Sequence, residues 1–138
     1  MLPDSAVLVL VADDTSVNQL VVQRMLEKLG CSVDVVGNGR EAVAALEARP
    51  YAVVFMDIQM PEMDGFEATA EIRRRESHGL GHTPIVAMTA FTLEGDRERC
   101  LAAGMDDCVG KPIRIEALDE VIQRWAARSP DSRYDAEC

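Results

Sequence analysis

Five short apolar runs alternate with five amphipathic segments along the chain, and no other sequence feature limits the possible folds as strongly. The runs cover residues 6–12, 31–36, 51–56, 84–88 and 108–109. The first and third runs are apolar at successive positions, which is typical of strands buried on both faces of a parallel sheet. Strands that alternate strictly with helices then predict an α/β fold, (βα)5, with right-handed crossovers.

The segments between the runs have the periodicity and the end signals of helices. Gly30 stands where a left-handed C-cap should end the first helix. Asn38 followed by Glu41 is similar to a capping box and starts a second helix that runs to about Ala48. The first helix is predicted from apolar residues at helical spacing, which are Val17, Leu20, Val21, Met25 and Leu29. Three further helices are predicted at about 65–75, 93–103 and 113–128.

Length and charge limit what such a chain can be. Its 138 residues are enough for one domain, and we expect no separate output module. The formal net charge of −10 argues against direct binding to nucleic acid or an anionic membrane, and it favours a basic protein or a cation as partner. We predict a domain over residues 1–128 and a disordered polar tail over 129–138.

The cysteines and the apolar content indicate the compartment. Four cysteines at these spacings form neither a redox pair nor a zinc knuckle, so we expect reduced structural thiols. No stretch approaches the ~18 uninterrupted apolar residues of a membrane span. The N-terminus also lacks the basic start of a signal peptide. We therefore expect a cytoplasmic protein that makes no membrane contact.

Charged and hydroxyl side chains follow four of the five runs. Asp13 and Asp14 come after the first run, Asp57 after the third, Thr89 after the fourth and Lys111 after the fifth. Ligands of an open parallel sheet bind beyond the carboxyl ends of its strands, so these side chains should meet in one crevice. Crowded carboxylates repel one another unless a proton or a hard cation relieves the charge. We predict a magnesium site, because Mg²⁺ prefers oxygen ligands and keeps positions open for phosphate oxygens.

The same residues predict phosphoryl chemistry. Asp57 is the expected nucleophile, because a carboxylate needs no deprotonating base and its acyl phosphate is reactive enough to be transient. Lys111 and Thr89 offer an ammonium and a hydroxyl that could bind the remaining phosphoryl oxygens as charge spreads over them. A transient acyl phosphate suits a switch.

With these residues at these positions, the chain resembles the receiver domain of two-component response regulators. Four motifs carry the resemblance: VADD (residues 11–14), FMDIQMPEMDG (55–65), MTA (88–90) and GKPI (110–113). Their order and spacing match that family over residues 6–128. The stretches DDTSVNQLVVQRMLEKLG and GDRERCLAAGMDD are further similar to receivers attached to hybrid sensor histidine kinases.

The resemblance implies a sheet of strand order 2-1-3-4-5 and a role for each motif residue. Asp57 would accept a phosphoryl group from a phosphohistidine on a histidine kinase or phosphotransfer protein. Asp14, Asp57 and the backbone carbonyl of Gln59 would bind Mg²⁺, and Asp13 would act through water. Thr89 and Lys111 would hold phosphoryl oxygens, and the bond from Lys111 to Pro112 would be cis.

The resemblance also implies how the domain acts. Helix four, strand five and helix five would form the surface that responds. Such a protein is a phosphoryl acceptor and not a conventional enzyme, since it catalyses at most its own phosphorylation and dephosphorylation. It would be a monomer or a weak homodimer.

Two positions depart from the family pattern. Cys108 stands three residues before Lys111, where the family usually has Tyr or Phe, and it has no ring to swing. Cys108 therefore favours an alternative, a degenerate receiver that works by protein contact without phosphorylation. Phe91 stands two residues beyond Thr89, where polar residues are frequent, and with Gln59 it should hinder the attacking water and prolong the phosphorylated state.

Two enzyme classes fit the sequence less well. Residues 37–42 spell G-x-G-x-x-A between a strand and a helix, as in a dinucleotide-binding oxidoreductase, but a strand and helix precede them and the chain is too short for a second half. A turn and helix cap is the simpler interpretation. A haloacid-dehalogenase-type phosphatase has a D-x-D-x-T motif, which would need Asp at position 59, where this chain has Gln59, or an equivalent spacing elsewhere. Outside the main set, Arg73–Arg75 is interpreted as a solvated helix end, and Asp106 with Asp107 as turn and capping residues at the opposite sheet edge.

Overall fold

A computed structural model describes residues 7–60, 62–76, 82–89 and 94–126, where five strands alternate with five helices. The strands are β1 (Val7–Ala12), β2 (Cys31–Val36), β3 (Val53–Asp57), β4 (Ile85–Thr89) and β5 (Asp107–Gly110). The helices are α1 (Ser16–Lys28), α2 (Gly39–Ala48), α3 (Gly65–Glu76), α4 (Glu94–Ala102) and α5 (Ile115–Val121), which continues as a π-helical turn (Ile122–Ala126).

The strands pair in parallel in the order β2-β1-β3-β4-β5, which confirms the doubly wound α/β fold. The predicted tail and Phe91 lie outside the described residues, so the expectations for both stay predictions. None of the helices in the described ranges combines the length and the apolar composition that crossing a bilayer requires.

Both faces of the sheet are buried, and this explains the unbroken apolar runs. In β1, Val9 and Val11 pack with α1 and α5, whereas Leu10 and Ala12 pack with α2 and α3. Successive side chains of a strand point to opposite faces, so each strand contributes to two separate cores. Phe55 in β3 is the largest fully buried side chain.

The first predicted helix is confirmed as α1, but three of the apolar residues that predicted it are exposed. Val17 is 66% exposed, Leu20 50% and Val21 43%. The buried residues are instead Val22 and Leu26, which pack against the sheet. Apolar residues occupy two sides of this helix, so their periodicity could not identify the side that faces the core.

Most predicted element ends lie within one residue of the observed ones, and two elements begin two residues later than predicted. Gly30 has the expected left-handed backbone, with φ 92°, and the side chain of Asn38 accepts a hydrogen bond from the backbone N–H of Glu41 at 2.8 Å. The third strand begins at Val53, two residues later than predicted, and the hydroxyl of Tyr51 donates to Asp34. Helix α5 begins at Ile115 rather than 113, because the backbone before it is still extended.

Candidate functional site

Asp13, Asp14 and Asp57 converge at the carboxyl edge of the sheet, as the strand ends predict. One carboxylate oxygen of each lies within 4.8 Å of the others. Strands β1 and β3 are neighbours, so the residues at their carboxyl ends meet. Asp13 and Asp57 are buried and Asp14 is exposed. We call these three carboxylates the acidic cluster.

Both oxygens of Asp57 have hydrogen-bond partners. Oδ1 accepts the backbone N–H of Gln59 at 3.1 Å, and Oδ2 accepts the ammonium Nζ of Lys111 at 3.2 Å. The lysine lies 54 residues further along the chain and follows β5, two strands away from β3 in the sheet. The fold thus places the ammonium of Lys111 against the carboxylate of Asp57.

Thr89 and Lys111 are joined through the backbone. The N–H of Lys111 donates to the carbonyl of Thr89 at 2.7 Å, and the following bond to Pro112 is cis, as the resemblance implied. Thr89 is buried at the end of β4, one residue beyond Met88, the register partner of Asp57. The predicted site residues therefore lie along one sheet edge, and they are Asp13, Asp14, Asp57, Gln59, Thr89 and Lys111.

The acidic cluster fits a hard cation. Oδ2 of Asp13 is buried without a hydrogen-bond partner in the part of the chain that the structure describes. The ammonium of Lys111 lies 4.0 Å from it, which is beyond hydrogen-bond distance. Burial, and then the charge of Asp57, raise the pKa of the Asp13 carboxyl above its ordinary 3.8 against the lowering effect of the Thr15 amide. A divalent cation with oxygen ligands would satisfy this atom and offset the repulsion, so the residues present fit Mg²⁺.

Replacing Asp13 by Asn should stabilise the metal-free protein at neutral pH, because it removes a buried negative charge whose Oδ2 has no hydrogen-bond partner among the described residues. The folded state raises the pKa of Asp13, so it holds this proton more tightly than the unfolded state. Stability therefore falls as pH rises from about 3.8 through the raised pKa, and the penalty is complete above it. Urea unfolding without metal at pH 7 and pH 4 measures the difference. A gain of equal size at both pH values would contradict this electrostatic origin.

A close backbone contact beneath the site was not expected. The N–H of Gly39 donates to the carbonyl of Met63 at 3.0 Å, and a Cβ on Gly39 would lie 2.3 Å from that oxygen. A Cβ on Gly65 would lie 2.5 Å from the carbonyl oxygen of Asp57. The G-x-G-x-x-A stretch is thus a turn and helix cap, as predicted, but its second glycine also admits the loop that follows Asp57.

At the opposite sheet edge, Arg73, Asp106 and Asp107 form ion pairs instead of the solvated end and caps that we predicted, whereas the side chain of Arg74 is exposed as expected. Arg73 donates to Asp106 at 2.7 Å and to the carbonyl of Gly104 at 2.8 Å. Asp107 is buried and accepts hydrogen bonds from Arg124 and Trp125. Charge runs alone could not predict these partners, since each pair joins segments far apart in sequence.

Comparison with known proteins gives a consistent result. A family model described as the response regulator receiver domain matches residues 9–123. The chain is 42% identical over 118 residues to sensor histidine kinase GacS from Pseudomonas protegens, and 36% identical over 146 residues to probable histidine kinase 1 from Oryza sativa subsp. indica. Each alignment covers 85% of this chain, but only 13% and 15% of those proteins.

Two solved structures are similar over nearly the whole chain. One is the receiver domain of a sensor histidine kinase from Pseudomonas aeruginosa PAO1, with a magnesium ion coordinated in its active site cleft. Its TM-score is 0.80 at 41% identity, covering 89% of this chain and 99% of that one. The other is a response regulator receiver domain from Saccharomyces cerevisiae, co-crystallised with a histidine phosphotransfer signaling protein. Its TM-score is 0.83 at 30% identity, covering 88% and 90%.

Proposed function

The chain belongs to the response regulator receiver domain family of two-component phosphorelays, and on that premise we propose that Asp57 accepts a phosphoryl group from a phosphohistidine. The observation that carries the proposal is the pairing of Asp57 with Lys111 inside a cluster of carboxylates that fits Mg²⁺. A cation on each side lets a phosphate approach a carboxylate against charge repulsion. An Asp57 without these neighbours would repel its substrate.

In the proposed reaction a carboxylate oxygen of Asp57 forms a bond to phosphorus as the bond from phosphorus to the donor imidazole nitrogen breaks. The electron pair of that bond stays with the imidazole. The ammonium of Lys111 and the hydroxyl of Thr89 bind the phosphoryl oxygens. Later attack by water on phosphorus releases phosphate and restores the carboxylate, so the phosphorylation is temporary.

Asp14, Asp57 and the backbone carbonyl of Gln59 are the residues that we propose to hold Mg²⁺, with Asp13 acting through water. When bound, the cation offsets the negative charge of the acidic cluster and of the incoming phosphoryl oxygens. Asp13 contributes the buried oxygen that otherwise lacks a partner.

Phosphorylation should act on the protein as a switch. The new group brings about −1.5 to −2 charges, which would draw Thr89 and Lys111 toward Asp57. Because Lys111 directly follows β5, such a movement would bias the surface formed by α4, β5 and α5.

The exposed apolar side of α1 is the surface that we propose for the phosphodonor protein. Val17, Leu20 and Val21 lie on the helix that begins two residues after Asp14, and Val21 also lines a depression of about 150 Å³ together with Asp13 and Lys111. A donor protein must bring its imidazole to Asp57, so it has to cover the adjacent apolar side of α1. Apolar contact beside the site would hold a histidine kinase or phosphotransfer protein in place.

Replacing Leu20 by Ser should slow phosphoryl transfer from a cognate donor protein about tenfold, because one apolar contact is lost from the docking surface. Transfer from a small phosphodonor should not change. Leu101→Ser, which removes an equally large exposed apolar side chain from α4, is the matched control. Equal slowing with both kinds of donor would show that Leu20 acts on the site and not on docking.

The alternative function is a receiver that binds partners without being phosphorylated, and Cys108 is the observation that favours it. Cys108 is partly buried against the core that includes Cys100, in the place of an aromatic side chain. Incubation with Mg²⁺ and acetyl phosphate, followed by intact-mass measurement, separates the two functions. A gain of one phosphoryl group supports the proposed function, and an unchanged mass supports the alternative.

A further inference from the structure

We propose that Gln19 is a positioning residue, whose side-chain amide fixes the loop carrying Asp13 so that one Asp13 oxygen is presented to the acidic cluster. The role in cation binding rests on the proposed function. The contacts that define it are independent of that function, because they join two strand ends through a side chain that lies outside the four receiver motifs.

The amide of Gln19 connects the carboxyl ends of β1 and β2. Its Nε2 donates to the backbone carbonyl of Asp13 at 2.5 Å, and lies 3.3 Å from the carbonyl of Val36. Asp13 is the first residue after β1, and Val36 is the last of β2. Since Gln19 lies on α1, the helix holds both strand ends at the edge where the site forms.

The hydrogen bonds of Asp13 show what this contact controls. Its N–H donates to the carbonyl of Val36 at 3.1 Å, its carbonyl accepts from Gln19, and its Oδ1 accepts the N–H of Thr15 at 2.9 Å. Only Oδ2 remains without a hydrogen bond among the described residues. Three of the four polar groups are therefore fixed, which leaves Oδ2 as the atom available to the cluster.

Of these three hydrogen bonds, only the one from Gln19 is donated by a side chain. The other two use the backbone N–H groups of Asp13 and Thr15, which a substitution at Gln19 does not remove. Without the amide, the Asp13 carbonyl would have to find a new donor, and the peptide unit could rotate toward solvent. Rotation would carry Oδ2 away from Asp14 and Asp57, which would weaken cation binding without removing any carboxylate.

Gln19→Met tests the inference, because methionine has a similar length but no donor. Gln23→Met is the matched control, since Gln23 lies one turn further along α1 and its amide contacts only the exposed Glu27 among the described residues. Mg²⁺ binding is measured by calorimetry on each folded protein. We expect Gln19→Met to weaken binding about three- to tenfold, as for loss of one hydrogen bond, and Gln23→Met to bind as wild type. Amide hydrogen exchange without metal should be faster at Asp13 and Thr15 in Gln19→Met alone, because the hydrogen bonds of these two N–H groups depend on the loop orientation that Gln19 fixes.

Each outcome decides a different question. Equal Mg²⁺ affinity in Gln19→Met and wild type, even with a lower urea midpoint, would assign Gln19 a purely structural role and overturn this inference. If wild type itself takes up no Mg²⁺ at millimolar concentration, the proposed function fails together with it. Weakened binding accompanied by faster exchange at Asp13 and Thr15 supports the positioning role, and weakened binding with unchanged exchange at both residues counts against it.

Discussion

Asp57→Asn is expected to gain no phosphoryl group on incubation with Mg²⁺ and acetyl phosphate, whereas wild type gains one. The amide keeps the size and the hydrogen bond to the Gln59 N–H, but it lacks the anionic oxygen that attacks phosphorus. It also removes one charge of the acidic cluster, so Mg²⁺ binding should weaken. Intact-mass spectrometry over a time course measures the first effect, and calorimetry measures the second.

Asp64→Asn is the matched control for this substitution. Asp64 lies seven residues further along the chain, where its exposed carboxylate accepts the backbone N–H of Glu67 at 2.8 Å, which an asparagine can still do. This variant should be phosphorylated as wild type is. An equal mass gain in Asp57→Asn would remove Asp57 as the acceptor, and a lost gain in Asp64→Asn would indicate a general effect of the added amide.

Gly39→Ala is expected to lower the free energy of unfolding by about 3 kcal/mol or more. The new Cβ would lie 2.3 Å from the carbonyl oxygen of Met63, which is closer than real Cβ contacts occur. Either α2 or the loop after Asp57 must move, and the hydrogen bond between Gly39 and Met63 would break. Urea unfolding followed by circular dichroism measures the loss.

Gly37→Ala provides the comparison within the same short stretch. A Cβ at Gly37 would meet only the ends of two flexible side chains, Oε1 of Glu41 at 3.6 Å and Nε2 of Gln19 at 4.0 Å, so this variant should lie within about 0.5 kcal/mol of wild type. Similar losses in both variants would mean that the stretch responds to reduced backbone freedom. A large loss confined to Gly39→Ala would assign it to the contact with Met63.

Short sequence patterns were enough to predict the fold and the location of the site. Apolar runs such as Val53–Met56 marked doubly buried strands, and Asn38 with Glu41 marked a helix start. The topological rule that ligands meet the carboxyl ends of parallel strands brought Asp13, Asp57 and Lys111 together before any distance was known. These signals suffice because residue types and short spacings are read directly from the sequence, although the strand partners that bury the apolar runs lie far along the chain.

Tertiary packing decided which of two apolar sides of α1 faces the sheet, and it left Leu20 exposed. It also brought Gln19 to Asp13 and Val36, and Met63 to Gly39. Each of these contacts depends on how one element is rotated or displaced against another. The spacing of apolar residues in the sequence contains almost no information about such rigid-body adjustments. Residue types and spacing therefore determined the kind of protein and the edge where it acts, whereas the side-chain contacts that aim Asp13 required the assembled sheet and helices.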